Sequence, residues 1–239
     1  MTTIPTQLPT QLRSVRARVA AACQTAGRAA SEVTLLAVSK TVEPEVVEQA
    51  FEAGQTAFGE NYIQEGVEKI IQLRHLPIEW HCIGPIQSNK TRLVAEHFDW
   101  VQTLDRLKIA QRLSEQRPLG LPPLQVCIQV NVDGGANKSG VLPGEALALA
   151  QGVAALPNLR LRGIMSIPEP ASDFAAACAL FARVKAVFDA LNATGMALDT
   201  LSMGMSADLE AAIMSGSTMV RVGTAIFGAR PPFKPGPAQ

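Results

Sequence analysis

The stretch LLAVSK runs five nearly apolar positions into Lys40. An amine held at the end of a buried strand loses solvation of its ammonium form, so its pKa falls and the neutral amine can condense with an aldehyde to form a Schiff base. The plain alternative is a lysine whose stem packs on apolar surface while its charge reaches solvent. Two small-residue stretches could receive an anion. Gly204 and Ser206 in SMGMS, with Gly223 and Thr224 in RVGT, offer backbone N–H groups and hydroxyls that a phosphate can approach closely. Either stretch alone is equally ordinary turn chemistry.

Arg221 ends the apolar run TMVRV, where a guanidinium needs a partner or a wet cavity. A neutral ring nitrogen accepting a hydrogen bond would suit it, and so would a carboxylate. His81, in EWHCIG, could stack or shuttle protons, although a strand histidine is more often a packed residue with satisfied nitrogens. Asn61, after Gly59 and Glu60, could donate to a phenolic oxygen and also offers N-cap chemistry to a following helix. Met165 closes another apolar run and joins the candidates. Lys138 lies in the glycine-rich DGGANKSG, where a solvated surface charge is the default and a role at a binding site the minority reading.

These residues fall at the ends of short apolar runs that alternate with helical periods, the pattern of βα units around a parallel sheet. Eight runs can be read: VTLLAVS, TAFGE, IEWHCIG, DWVQTLD, LQVCIQVNV, LRLRGIMSI, LDTLSMG and TMVRVG. The fifth is the longest and is expected to be central. An amphipathic helix over about residues 10–26 precedes them, with Leu12, Val15 and Val19 on its apolar side and Arg13, Arg16 and Arg18 on its wet face. A helix striped by Ile63, Val67, Ile70 and Ile71 follows the second run. Eight units predict a single (β/α)8 barrel over 1–239 rather than a doubly wound sheet, which would carry a G-x-G-x-x-G first turn that is absent here. In a barrel the C-terminal strand ends form the active face, which is where the candidates lie. The Pro/Gly-rich stretch 230–239 is expected to be a loosely held tail.

With 21 Lys plus Arg against 21 Asp plus Glu, no overall basic field favours nucleic acid or an anionic membrane. No apolar run reaches the roughly 18 residues of a membrane span, and MTTIPTQLPT lacks the order of a signal peptide, so a cytoplasmic location is expected. The four cysteines, Cys23, Cys82, Cys127 and Cys178, are widely spaced and read as plain buried thiols rather than a metal site or disulfide framework.

The ordered motifs LLAVSKT, FGENYIQE, WHCIGPIQSNK, VNVDGGANKSG, RGIMSIP, LSMGMSADLEAAI and VRVGTAIFG resemble the pyridoxal phosphate homeostasis protein family (YggS/PROSC-like) from Leu35 to Gly228. The resemblance implies a type III, alanine-racemase-like barrel carrying pyridoxal 5'-phosphate (PLP). It implies that Lys40 is the aldimine lysine, that Arg221 faces the pyridine nitrogen, and that Ser206, Gly223 and Thr224 hold the phosphate. Asn61 would lie near the ring substituents, and Lys138 would have an accessory, transfer-related role.

A PLP enzyme needs the cofactor as an electron sink and a second group to move protons. A guanidinium at the ring nitrogen would keep it unprotonated and weaken the sink. The racemase-type partner base is a tyrosine from a second domain, whereas this chain has one tyrosine, Tyr62, and no further residues expected to build that domain. The expected protein is therefore a monomeric carrier that buffers PLP or delivers it to apo-enzymes. A racemase-like enzyme and a lysine Schiff-base aldolase acting on a sugar phosphate are the rivals.

Overall fold

The computed structural model describes residues 7–135 and 138–229; the tail expected at 230–239 lies outside the described residues. After helix α1 (Leu8–Thr25), strands and helices alternate: β1 (Thr34–Val38), α2 (Pro44–Glu52), β2 (Ala57–Glu60), α3 (Ile63–Gln72), β3 (Glu79–Cys82), α4 (Thr91–His97), β4 (Trp100–Leu104) and α5 (Leu107–Gln116). They continue through β5 (Leu124–Gln129), α6 (Ala146–Ala154), β6 (Leu159–Met165), α7 (Phe174–Ala193), β7 (Thr200–Ser202), α8 (Leu209–Met214), β8 (Met219–Val222) and α9 (Thr224–Phe227). The strands close in sequence order into one parallel barrel, with β8 pairing back onto β1 through Leu35 opposite Val220 and Leu36 opposite Arg221. Each of the eight apolar runs became a strand. In a closed barrel every strand has two neighbours, so the central place expected for the fifth distinguishes nothing.

Strand alternation divides the core in two. Leu36, Ala57 and Met219, with Ile83 against them, form one interior cluster, and Trp100, Cys127 and Met165 form another. The outward residues, such as Ala37, Phe58, Val101 and Val220, pack under the helices in a single large cluster. Polar side chains also occupy the interior: His81, Gln102, Ser202 and Arg221 are buried. That placement is costly unless each is hydrogen-bonded.

Local chemistry explains the helix ends. Pro44 opens α2 at a position whose N–H would have no partner. The Asp173 carboxylate caps α7 by accepting from the Ala176 N–H at 2.9 Å.

Two amphipathic readings need correction. Leu12, Val15 and Val19 are buried on α1 as expected, but Arg16 and Arg18 are not simply a wet face. Arg16 donates to the Ala53 carbonyl at 3.1 Å, and Arg18 grips both Glu210 oxygens (2.8 and 3.0 Å) and the Ser206 carbonyl (3.0 Å). On α3 the buried face is Ile63, Gly66 and Val67, with Lys69 on its flank, while Ile71 is 49% exposed. Glu60 and Glu65 draw the lysine inward, and at about 100° per residue Ile71 turns out of the buried arc.

The cysteines are free thiols: Cys23, Cys82 and Cys127 are buried and Cys178 partly so. Burial pushes Cys82 and Cys127 up to about 12, so both are inert thiols at neutral pH. Among the described residues no helix is long and apolar enough to cross a membrane, and no His/Cys/Asp/Glu group could hold a metal ion.

Candidate functional site

Lys40 lies two residues beyond β1 in a tight turn, half-buried rather than sealed from solvent. Val42 N–H donates to the Ser39 carbonyl at 3.0 Å to close the turn. Its next residue, Thr41, has φ +59, a left-handed conformation that a β-branched side chain rarely adopts. A charged clamp holds it there. Lys69 donates to the Ser39 carbonyl (2.7 Å), to Glu60 (2.9 Å) and to Glu65 (2.6 Å), while Glu65 accepts from the Thr41 N–H at 2.6 Å. Ser39 Oγ–H donates to the same Glu60 oxygen at 2.6 Å; the other, Oε2, is buried with no partner among the described residues. Burial pushes the Glu60 carboxyl above its ordinary range, against the pull of Lys69 and Ser39. The clamp therefore locks the backbone on both sides of Lys40.

On the neighbouring strand β8, Arg221 is 4% exposed and donates to Ser202 Oγ at 2.7 Å and to the Ser166 carbonyl at 2.9 Å. Burial pulls its guanidinium down to about 10, still well above neutral pH, so the group stays cationic. Both acceptors are neutral, and among the described residues no carboxylate forms an ion pair with it. Met165 is the last residue of β6, fully buried against Trp100 and Cys127.

The small-residue loops adjoin because β7 and β8 are neighbours, and the Arg221 N–H donates to the Gly204 carbonyl at 3.0 Å. Gly204 has φ +95, and a Cβ there would meet the Ala212 Cβ at 2.4 Å, so only glycine fits the turn. Ser206 follows in the same loop, its carbonyl held by Arg18 from α1. Gly223 is the N-cap of α9 and Thr224 its first residue. The first N–H groups of a helix have no intrahelical acceptor.

Asn61 directly follows β2, and its carbonyl approaches Gly84 so closely that a Cβ there would lie 1.9 Å from the oxygen. The N-cap of α3 is Tyr62, with no side-chain cap, so Asn61 does not perform the capping its sequence context suggested. Lys138 is no solvated surface charge. It joins the loop after β5 to that after β6 through Asp133 (2.9 Å), Glu169 (3.1 Å) and the Ile167 carbonyl (3.2 Å). Burial lowers its pKa, but Asp133 and Glu169 outweigh that and hold it above the ordinary lysine value.

The mouth thus gathers Lys40, Asn61, Met165, Ser206, Arg221, Gly223 and Thr224 on strand ends or just beyond them. His81 is placed differently: its ring is fully buried inside the barrel, stacked on Trp100 at 5.0 Å, with Glu79 and Gln102 on its two nitrogens. Sequence reasoning missed Lys69, Glu60, Glu65, Ser202, Gln102 and Arg18. Only the Glu65 and Lys69 pair, one helical turn apart, carried a visible signal.

The donor set fits an aldehyde-bearing, phosphorylated pyridine: an amine, a buried guanidinium offered to a neutral acceptor, and hydroxyl and glycine loops for an anion. The model of the alanine racemase N-terminal domain family matches residues 11–231. The pyridoxal phosphate homeostasis protein of Pseudomonas aeruginosa is 60% identical over 219 residues, which cover 92% of this chain and 94% of that protein. Its namesake from Escherichia coli is 53% identical over 222 residues, covering 92% and 95%. Among solved structures, PipY of Synechococcus elongatus with PLP bound is similar at TM-score 0.80 and 34% identity, over 93% of this chain and 100% of that one. The alanine racemase of Corynebacterium glutamicum shares the fold alone, at TM-score 0.64 and 18% identity, over 92% of this chain and 61% of the racemase. The chain belongs to the alanine racemase N-terminal domain family and, within it, to the pyridoxal phosphate homeostasis proteins.

Proposed function

We propose that this chain is a single-barrel PLP carrier that holds the cofactor on Lys40 and serves intracellular vitamin B6 homeostasis. It buffers PLP or delivers it to apo-enzymes, acts in the cytoplasm as a monomer, and does not sustain amino-acid turnover. When bound, the cofactor supplies an aldehyde for an amine and an electron-withdrawing pyridine ring.

The observation that carries the reading is Arg221, a cation inside the barrel whose side-chain hydrogen-bond partners among the described residues are both neutral. Such a group is suited to donate to an unprotonated ring nitrogen, and in doing so it weakens the ring as an electron sink. Lys40 supplies the attaching amine in a turn held on both sides by the Lys69 clamp. Ser206, Gly223 and Thr224 hold the phosphate, Asn61 and Met165 border the ring, and His81 acts from inside the barrel. Lys138 keeps two mouth loops together and is accessory.

Purified protein supplied with PLP is expected to gain a visible absorption band that Lys40→Ala removes, while a panel of L-amino acids shows no steady turnover. A chain that stays colourless, or one that turns over an amino acid in a Lys40-dependent way, contradicts the carrier reading. Faster reconstitution of an apo-enzyme from carrier-bound than from free PLP supports direct delivery; equal rates remove it.

A further inference from the structure

A run of hydrogen bonds leaves Arg221 and crosses the barrel interior. Arg221 donates to Ser202 Oγ at 2.7 Å, Ser202 Oγ lies 2.7 Å from Gln102 Oε1, and Gln102 Nε2 lies 2.9 Å from His81 Nδ1. His81 Nε2 then lies 2.9 Å from Glu79 Oε1. The members between the ends are buried, and Glu79 opens, half-exposed, into a cleft with Trp100, Arg162 and Asp199.

The two ends, with a neutral His81 ring between them, fix the directions. Glu79, held below the usual carboxylate range by the His81 hydrogen bond, is ionised and can only accept, so Nε2 must carry a hydrogen. Burial disfavours the charged ring, and a neutral ring leaves Nδ1 as an acceptor. Gln102 must therefore turn its NH2 group to Nδ1 and its oxygen to Ser202. Ser202 gives its one hydrogen to that oxygen and accepts from Arg221, which can only donate.

We infer that Ser202, Gln102 and the Nε2–H tautomer of His81 are positioning residues for Arg221, forming a one-way donor chain from the guanidinium to Glu79. Aligned donors polarise one another, and the chain fixes the guanidinium through Ser202 Oγ while its carboxylate end occupies none of the guanidinium N–H groups. Gln102 rules out a proton relay, because its amide would have to pass through the imidic acid to hand a proton on. The chain orients rather than conducts. Its consequence for the ring nitrogen rests on the PLP reading above; the chain itself does not.

Long-range proton–nitrogen NMR on the PLP-free protein is expected to show His81 protonated at Nε2 and bare at Nδ1. Gln102→Glu preserves size and the acceptor for Ser202 but cannot donate to Nδ1, so the ring is expected to acquire an Nδ1 proton. After loading with PLP, that variant and Ser202→Ala are each expected to bind about tenfold more weakly, the equivalent of one lost hydrogen bond, with a displaced visible band. Ser202→Ala carries the test if Gln102→Glu does not fold. A wild-type ring protonated at Nδ1, or variants with unchanged affinity and band, overturns the chain. If the wild type takes up no PLP the functional reading falls, while the ring tautomer and its response to Gln102→Glu still decide the chain.

Discussion

Two buried cations near the C-terminal strand ends, Lys69 and Arg221, are treated in opposite ways. Lys69 is 4% exposed and touches two carboxylates, Glu60 and Glu65. Arg221 is equally buried, and among the described residues its side chain hydrogen-bonds a serine hydroxyl and a carbonyl, with the Asp208 carboxylate acting on it without an ion pair. Arg117, near the other end of the barrel, shows that carbonyls can take up the hydrogen bonds of a guanidinium, since Pro122, Ala95 and Phe98 all accept from it, with Asp99 as a nearby charge. What separates Arg221 is its place under the ends of β6 to β8, beside the loops that suit an anion. A cation already neutralised by its own protein stabilises a turn, whereas one left with neutral partners retains attraction for a ligand. The first holds the turn of Lys40 in position; in the carrier proposed above, the second would address the group that Lys40 carries.

Removal of Lys69 is expected to have the largest effect. Lys69→Met leaves Glu60 buried without its counter-charge and is expected to cost about 3–5 kcal/mol in urea unfolding of the PLP-free protein. Adding Glu60→Gln should restore much of that loss. Arg221→Leu strands neutral acceptors only, so its expected cost in the same experiment is about 1–3 kcal/mol. It should lower PLP affinity far more than a stability loss of that size explains. If Arg221→Leu destabilises the PLP-free protein as much as Lys69→Met, the distinction between the two cations fails.

Burial sets the folded pKa of His81 below its unfolded value of about 6.5, despite the pull of Glu79. Below about pH 6.5 the unfolded chain therefore binds a proton that the folded ring refuses, and stability falls with pH by up to about 1.4 kcal/mol per unit until the folded pKa is passed. Melting curves between about pH 7.5 and 5.5 should be steeper in pH for the wild type than for His81→Gln. Equal slopes would mean that the ring does not stay neutral. The smallest effect belongs to Lys138, whose pairs are partly exposed: Lys138→Ala is expected to cost about 0.2–1 kcal/mol and to shrink at high salt.

The fold was legible because the apolar runs and helical stripes repeat eight times, and periodicity survives in sequence. Lys40, Arg221 and the two glycine loops were legible because each breaks its own local pattern, as a charge or small residue at a strand end. The supports were hidden for a physical reason. Ser202, Gln102 and His81 meet only when β7, β4 and β3 close into a barrel, and polar residues alternating along a strand look the same whether they face solvent or a packed interior. Lys69 carried no signal of its inward pairing because its partner Glu60 lies on a preceding strand. Arg18 read as wet because its acceptors, Glu210 and the Ser206 carbonyl, lie almost the whole chain away.

The central claim is that Lys40 is the attachment point. Borohydride reduction of the PLP-loaded protein, followed by proteolysis and mass mapping, tests it directly. One pyridoxyl group on the peptide containing Lys40 is the expected result; no added mass, or a modification at Lys138 or another lysine with Lys40 untouched, would contradict it.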